Sequence, residues 1–200
     1  MSADQTLIEH ANAENDWVRA RVLKLDPPAE GSLLKIAERA RDMAANSLGT
    51  GHPAYAVALQ NLGLYYDAVE NNPAKANELF AKARAVLKDD DLPLAYGFYW
   101  LGVFHHLISR DAGRAEAPLS EALAIQRRGL GSDDLQLAET MIALAHAKRE
   151  TQIHAAITLM EEALRIQRAR IAPGDPAILD TENRLAVLQA LARMQAQDEG

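Results

Sequence analysis

A recurrence at a fixed interval is the feature that most constrains how this chain folds. The stretch LGTGHPAYAVALQNLG begins at residue 48, a diluted copy, LGSDDLQLAETMIALA, begins at residue 130, and a third, IAPGDPAILDTENRLA, begins at residue 171. The starts lie 82 and then 41 residues apart, so the period is 41 residues. A period of this length indicates a stack of similar units, each of which buries its apolar face against its neighbours.

The units are predicted to be helical. Apolar residues recur at spacings of three and four, and strand-like alternation is nearly absent. Asn72, Asp111 and Asp175 are placed to cap the helices that follow them. The pattern predicts antiparallel hairpins with one helix left over. The nine predicted helices span residues 5–25, 31–48, 53–71, 73–88, 92–109, 112–130, 133–150, 152–171 and 176–197.

Small residues are expected where the two helices of a pair touch. Each first helix carries a leucine followed by a small residue, and three second helices carry two alanines seven positions apart. A large apolar residue stands between those alanines and is expected to fill the gap to the next pair. The leucine–small pairs are Leu62-Gly63, Leu101-Gly102, Leu144-Ala145 and Leu185-Ala186, and the large residues are Phe80, Leu119 and Met160.

This pattern resembles the tetratricopeptide repeat. The longer unit, with LG..HP before its first helix and NLG within it, is similar to the repeats of kinesin light chains and related bacterial proteins. HEAT units fit less well, because their first-helix proline and regular Asp/Arg pair are not found. The resemblance covers residues 33–190 and implies an all-α solenoid, a right-handed superhelix of antiparallel helix pairs with about four units.

The same resemblance implies one domain over residues 1–200. Its predicted parts are a degenerate first helix pair at 1–48, three repeat units at 49–90, 91–131 and 132–172, and a capping helix with a tail at 173–200.

Composition and charge narrow the function classes. The net charge of −7 argues against a general nucleic-acid binder, because such a chain repels the phosphate backbone. No segment approaches the ~20 apolar residues of a membrane-spanning helix, and the polar, acidic start is not a secretory signal. We therefore expect a cytoplasmic protein that binds no nucleic acid and does not insert into membranes.

The sequence predicts no catalytic, metal or cofactor site. The chain has no cysteine, which removes thiolate catalysis and the commonest structural zinc sites. His105 and His106 diverge by ~100° on a helix and cannot easily chelate one ion. A metal site formed by His106, His146 and a carboxylate is the weaker alternative to partly buried histidines. The turns GLGSDD and LGTGH lack the Lys-Ser/Thr of a phosphate loop.

The resemblance also implies a binding surface, because the first helices of tetratricopeptide arrays line a concave groove that holds a peptide or a partner segment. Spacing from the leucine–small pairs then selects candidate groove residues. They are Gln60, Asn61, Asp67, Tyr96, Tyr99, Trp100, His106, Ile142, His146, Arg149, Asn183 and Arg184.

The stretch AYGFYW, residues 95–100, is the aromatic part of this predicted groove. Tyr96, Tyr99 and Trp100 share one helical face, while Phe98 points to the opposite side and is predicted to be core. Two interpretations of the three stay open. They either fill the core, or they form the groove floor with their polar tips in water.

The flank of the groove is predicted to be basic. Arg149, Arg184 and His146 would face an acidic side chain or a C-terminal carboxylate. The alternative is that these are solvated charges with local partners at i,i+4. Of the asparagines that precede the leucine–small pair in kinesin light chains, only Asn61 matches, so neither kinesin-type cargo nor a chaperone tail is implied.

The leading functional prediction is a non-catalytic adaptor that binds a peptide or a partner-protein segment. One alternative is a sensor that responds to a ligand or a signalling peptide. Another is a structural scaffold that forms a homodimer through LAVLQALARM, residues 185–194, of the C-terminal helix.

Overall fold

The fold is described from a computed structural model, which describes residues 32–87, 92–107 and 110–198. The predicted helix at residues 5–25, and with it the first half of the predicted degenerate pair, lies outside the described residues.

Eight helices make up most of the described chain, and they pack in sequential antiparallel pairs. The predicted all-α repeat array is therefore confirmed. Each described helix overlaps one predicted helix, with ends that differ by a few residues. The helices are α1 (Ser32–Leu48), α2 (Pro53–Ala68), α3 (Pro73–Val86), α4 (Leu92–Leu107), α5 (Ala112–Gly129), α6 (Leu135–Lys148), α7 (Ile153–Arg170) and α8 (Pro176–Asp198).

The recurring stretch is a helix-capping signal. The side chains of His52, Asp134 and Asp175 each accept a hydrogen bond from the backbone N–H two residues later, at 3.1, 2.8 and 2.9 Å. Such a bond satisfies one of the N–H groups that the first turn of a helix leaves without a partner. The three copies of the stretch therefore begin α2, α6 and α8 in the same way.

Two second helices begin at the predicted caps. Asn72 accepts from the backbone N–H of Lys75 at 3.1 Å, and Asp111 accepts from that of Arg114 at 3.0 Å. The second helix of the last pair, α7, follows Gln152, whose side chain makes no capping hydrogen bond. The predicted caps Asn72, Asp111 and Asp175 are thus all confirmed.

The chain divides into two compact units, and the boundary falls between Trp100 and Leu101. In the described residues, the first unit contains α1, α2, α3 and the start of α4, and the second contains the end of α4 and α5 to α8. The grouping of the whole chain into one domain, with the repeat boundaries given above, stays a prediction.

In the first unit, the predicted small-on-large contact joins α2 and α3. A β-carbon at Gly63 would lie 2.9 Å from the ring of Phe80, so only glycine leaves room for that ring. The other side of Phe80 stacks on Phe98 of α4, with ring centroids 5.7 Å apart. Phe98 thus packs on the buried Phe80, but it is only partly buried itself, and the guanidinium of Arg84 lies 5.2 Å from the centroid of its ring. The large residue contacts both its own pair and the next helix.

The second unit repeats this arrangement twice. A β-carbon at Gly102 of α4 would lie 2.3 Å from Cγ of Leu119 of α5. In the next pair, Ala145 of α6 packs with Met160 of α7, and Leu188 of α8 joins the same buried cluster. The two helices of a pair thus approach closely at a small residue in each of these pairs. This close approach determines which side chains of the first helices remain exposed.

Candidate functional site

The second unit brings side chains from three first helices into one row. The rings of His106 on α4 and His146 on α6 are stacked, with centroids 5.6 Å apart and an angle of 12° between their planes. Arg184 on α8 is hydrogen-bonded through its guanidinium to Nε2 of His146. We call His106, His146, Arg149 and Arg184 the imidazole–guanidinium cluster.

Both imidazoles of this cluster are neutral at pH 7. A guanidinium only donates, so Nε2 of His146 accepts and the ring proton is assigned to Nδ1. Burial, followed by the positive charge of Arg184, lowers the pKa of His146 to about 4. Burial and the charges of Arg149 and Arg184 lower the pKa of His106 in the same way. The positive charge of the cluster is therefore carried by its arginines.

A cavity of about 820 Å³ adjoins the two imidazoles. It is formed by the end of α4, the start of α5, the end of α6 and the turn that follows α6. His106 and His146 line it, together with the guanidinium-bearing residues Arg110 and Arg149. A concave site with a few convergent polar groups is the usual form of a binding pocket.

Arg110 is a site residue that the sequence analysis missed. It is exposed, lines the cavity and has no ion-pair or hydrogen-bond partner among the residues described. Its backbone has φ of +52°, a conformation that is uncommon for residues other than glycine and that recurs at functional sites. The only sequence signal was its place directly before the N-cap Asp111, at a turn between two helices.

Both arginines of the imidazole–guanidinium cluster, Arg149 and Arg184, have local partners. Arg149 pairs with Glu150 at 3.2 Å, and Arg184 pairs with Asp180, four residues earlier, at 2.6 Å. Both pairs are exposed, and such pairs typically contribute less than about 1 kcal/mol. The alternative of local partners at i,i+4 is confirmed for Arg184. Contact of Arg149 and Arg184 with a ligand stays a prediction.

Ile142 and Asn183 complete the predicted residues of the second unit. Ile142 is partly buried and packs against the Ala145–Met160 core cluster, whereas Asn183 is exposed on α8. Ile142 therefore stabilises the α6–α7 pair, and neither residue contributes to the cavity wall.

In the first unit, the three predicted aromatic residues lie together. The ring of Trp100 meets Tyr96 and Tyr99 edge to face, at centroid distances of 5.8 and 5.2 Å. Tyr96 is 40% exposed, while Tyr99 and Trp100 are partly buried. The indole N–H of Trp100 is buried without a hydrogen-bond partner in the described part of the chain. We call Tyr96, Tyr99 and Trp100 the aromatic surface.

The sequence predicts that Gln60, Asn61 and Asp67 line an open groove, whereas the structure buries all three. Their exposed fractions are 1, 2 and 5%. Gln60 donates to the carbonyl of Leu94 at 3.4 Å, and a β-carbon at Gly97 would lie 2.4 Å from its Cδ. Gln60 therefore supports the packing of α4 on α2. With so little exposed surface, these three residues are left out of the binding surface proposed below.

Acidification is expected to destabilise the fold through His146. Its ordinary pKa is 6.5 and its folded pKa is about 4, so between these values the unfolded chain binds a proton that the folded chain does not. The free energy of unfolding therefore falls as the pH drops through this interval and is restored above it. Melting temperatures measured across this range should decrease less in His146→Gln than in the wild type.

The exposed His154 on α7 provides the matched control for this titration. His154→Gln should keep the wild-type dependence on pH. If the His146→Gln and wild-type profiles run parallel, the imidazole is not held neutral by its surroundings.

Two features of the described residues concern other classes of site. None of the helices covered by the structure is long and apolar enough to span a bilayer. Within the same residues, no cluster of three or more His, Asp or Glu side chains is placed to hold a metal ion.

Comparison with known proteins supports the repeat. Residues 33–89 match the sequence model of the tetratricopeptide repeat. A Podosopora anserina structure described as kinesin light chain with nearly identical TPR-like repeats matches with a TM-score of 0.66 and 20% identity, covering 96% of this chain and 92% of that one. A single-substitution variant of it matches with a TM-score of 0.65 and 20% identity, covering 96% and 91%. No curated protein matches the sequence.

These matches agree with the helix pairs described above. The solved structures establish likeness of fold, and the sequence match establishes the repeat type over residues 33–89. Domains of this type are generally protein–protein interaction modules and are typically non-catalytic. Residues 33–89 are therefore similar to the tetratricopeptide repeat in sequence, and the chain shares the fold of solved structures with TPR-like repeats.

Proposed function

We propose that this chain is a non-catalytic adaptor whose second unit binds a carboxylate-bearing segment of a partner protein. The binding surface is the 820 Å³ cavity together with the imidazole–guanidinium cluster. The observation that carries the proposal is Arg110, an exposed guanidinium without a partner among the described residues, on the same cavity as Arg149.

Arginine is suited to this role because its planar fork donates two parallel hydrogen bonds to one carboxylate. Arg110 has no bond to another described residue that a ligand must displace. On binding, the exposed ion pair of Arg149 with Glu150 is replaced by an ion pair with the ligand's carboxylate. Breaking an exposed ion pair costs little free energy. The neutral rings of His106 and His146 supply a flat wall without adding charge.

Three carboxylates also line the cavity, but each is already engaged. Glu116 is bonded to Lys148, which lowers the pKa of its carboxyl group. Glu150 pairs with Arg149, and Asp111 caps α5. Glu116 and Asp111 therefore stay engaged when a carboxylate binds at Arg110, and Glu150, whose side chain is 74% exposed, loses Arg149 without being buried.

The aromatic surface is proposed as a separate contact in the first unit. Tyrosine and tryptophan are enriched among residues that dominate binding energy, because a large rigid side chain loses little entropy on binding. The 40% exposure of Tyr96, beside two partly buried rings, supports this role. Nothing in the described residues favours the sensor alternative over the adaptor.

Peptide display on the wild-type protein, followed by titration of the selected peptides, tests the proposal. Selected peptides should contain an aspartate, a glutamate or a free C-terminus. Replacing that carboxylate by its amide should weaken binding by about tenfold or more, since a charge-assisted hydrogen bond contributes roughly 1.5–3 kcal/mol. The double variant Arg110→Gln/Arg149→Gln should show a similar loss.

Arg193→Gln is the matched control, because Arg193 is exposed on α8 and does not line the cavity. It should bind the peptides as the wild type does. Peptides whose binding depends neither on a carboxylate nor on Arg110 and Arg149 would refute the assignment of this cavity.

A further inference from the structure

A lysine joins three helices behind the wall of the 820 Å³ cavity. Lys148, the last residue of α6, is bonded through its ammonium to the carboxylate of Glu116 on α5 and donates to Oε1 of Gln152 at 3.0 Å. Gln152 directly precedes α7 and donates in turn to the carboxylate of Glu116 at 3.1 Å. We call Lys148, Glu116 and Gln152 the lysine triangle. Its bonds occupy the side chain of Gln152, which makes no capping bond to α7.

Only one charged group of the lysine triangle faces the larger cavity. Glu116 is part of the wall of that cavity. Lys148 instead lines a second cavity, of about 540 Å³, which α5, α6 and α7 form. The side chain of Lys148 is 14% exposed and that of Glu116 is 29% exposed. A ligand in the larger cavity therefore meets the carboxylate of Glu116, and the ammonium of Lys148 stands behind that carboxylate.

The charges that line the larger cavity would by themselves disfavour an anion. Two guanidiniums and three carboxylates line it, while burial keeps both of its imidazoles neutral. The five charged residues are Arg110, Arg149, Asp111, Glu116 and Glu150. The wall thus carries one more negative than positive charge, and like charges across a binding site reduce affinity. The ammonium of Lys148 makes the balance even.

We infer that Lys148 determines the preference of this cavity for a carboxylate, an assignment that rests on the function proposed above. Lys148 is a positioning residue, because it acts through Glu116 and not through contact with the ligand. Its hydrogen bond to Glu116 holds the pKa of that carboxyl group below its ordinary value, so the carboxylate is ionised but its charge is offset. Without the ammonium, Glu116 presents an uncompensated negative charge to the ligand.

Titration of the peptide selected by display, and of the same peptide with its carboxylate replaced by an amide, onto Lys148→Gln tests the inference. Binding of the carboxylate peptide should weaken by about tenfold, because the charge of Glu116 then opposes it. Binding of the amide peptide should change by less than about twofold, because a neutral group is not repelled. General damage to the cavity would instead weaken both peptides alike.

Two variants of Glu116 separate its charge from the packing of the three helices. Glu116→Gln alone keeps the ammonium and should raise the preference for carboxylate over amide by about threefold or more, a gain that misfolding does not produce. The double variant Lys148→Gln/Glu116→Gln should recover the wild-type preference to within about threefold. Lys82→Gln is the matched control, because it breaks the exposed Lys82–Glu78 pair on α3, and it should bind both peptides as the wild type does.

The outcomes separate this inference from the function on which it rests. A wild-type protein that binds the carboxylate and amide peptides equally would refute the proposed function, and the role of Lys148 with it. The role of Lys148 alone is overturned if the wild type prefers the carboxylate and Lys148→Gln keeps that preference. It is also overturned if Glu116→Gln lowers the preference, or if the double variant fails to recover it.

Discussion

Gly102→Ala is expected to lower the free energy of unfolding by about 2–3 kcal/mol, because overpacking of a filled core carries a cost of this size. The added β-carbon would lie 2.3 Å from Cγ of Leu119, which is fully buried. On an exposed helix the same substitution stabilises by about 1 kcal/mol, so the packing model predicts the opposite sign from helix propensity. Urea denaturation followed by circular dichroism measures the difference.

Gly113→Ala supplies the matched control, because Gly113 lies in the first turn of α5 and its added β-carbon would meet nothing closer than 3.5 Å. This variant should be as stable as the wild type, or more stable by up to about 1 kcal/mol. Equal effects at Gly102 and Gly113 would show that α4 and α5 are not in close contact at Gly102.

Met160→Ala is expected to destabilise the chain by about 2–5 kcal/mol, the usual cost of emptying a buried methionine site. Met160 is fully buried among Ala145, Ala156 and Leu188, so its removal leaves a cavity where three helices meet. The measurement is again urea denaturation followed by circular dichroism.

Met194→Ala is the same substitution at a side chain that is 60% exposed. It should change the free energy of unfolding by less than about 0.5 kcal/mol, as surface substitutions usually do. A cost at Met194 equal to that at Met160 would mean that the Met160 cluster is not a core.

The period, the caps and the small-on-large contacts could be predicted from the sequence because each is set locally. An N-cap needs one side chain at one position, and Asp175 identifies itself by its place before Pro176. A glycine within a helical stretch, such as Gly102, marks a close approach because it costs stability unless a neighbour needs the space. These features recur at the same interval and reinforce one another.

The identity of the surface residues could not be predicted as well. Spacing places Gln60 on the outward side of a first helix, but whether the next helix covers it depends on how the two helices pack. In the structure, α4 lies against it and buries it. Arg110 was missed because its backbone conformation belongs to a turn, where helical spacing carries no information.

The row formed by His106, His146 and Arg184 shows the same limit. Counted from the leucine–small pairs, His106 is level with Arg149, yet its ring stacks on His146, three residues earlier. Arg184 contacts His146 with a shift of the same size. Neighbouring first helices therefore meet about one turn out of register, and the sequence does not encode that displacement in any single residue.

A double-mutant cycle between Gly102 and Leu119 tests the packing on which the repeat depends most directly. Leu119→Ala alone should cost about 2–5 kcal/mol, but it also removes the side chain that a β-carbon at residue 102 would strike. The double variant should therefore be more stable than the sum of the two single effects by at least about 1.5 kcal/mol. Additive effects, within about 0.5 kcal/mol, would contradict the paired-helix contact.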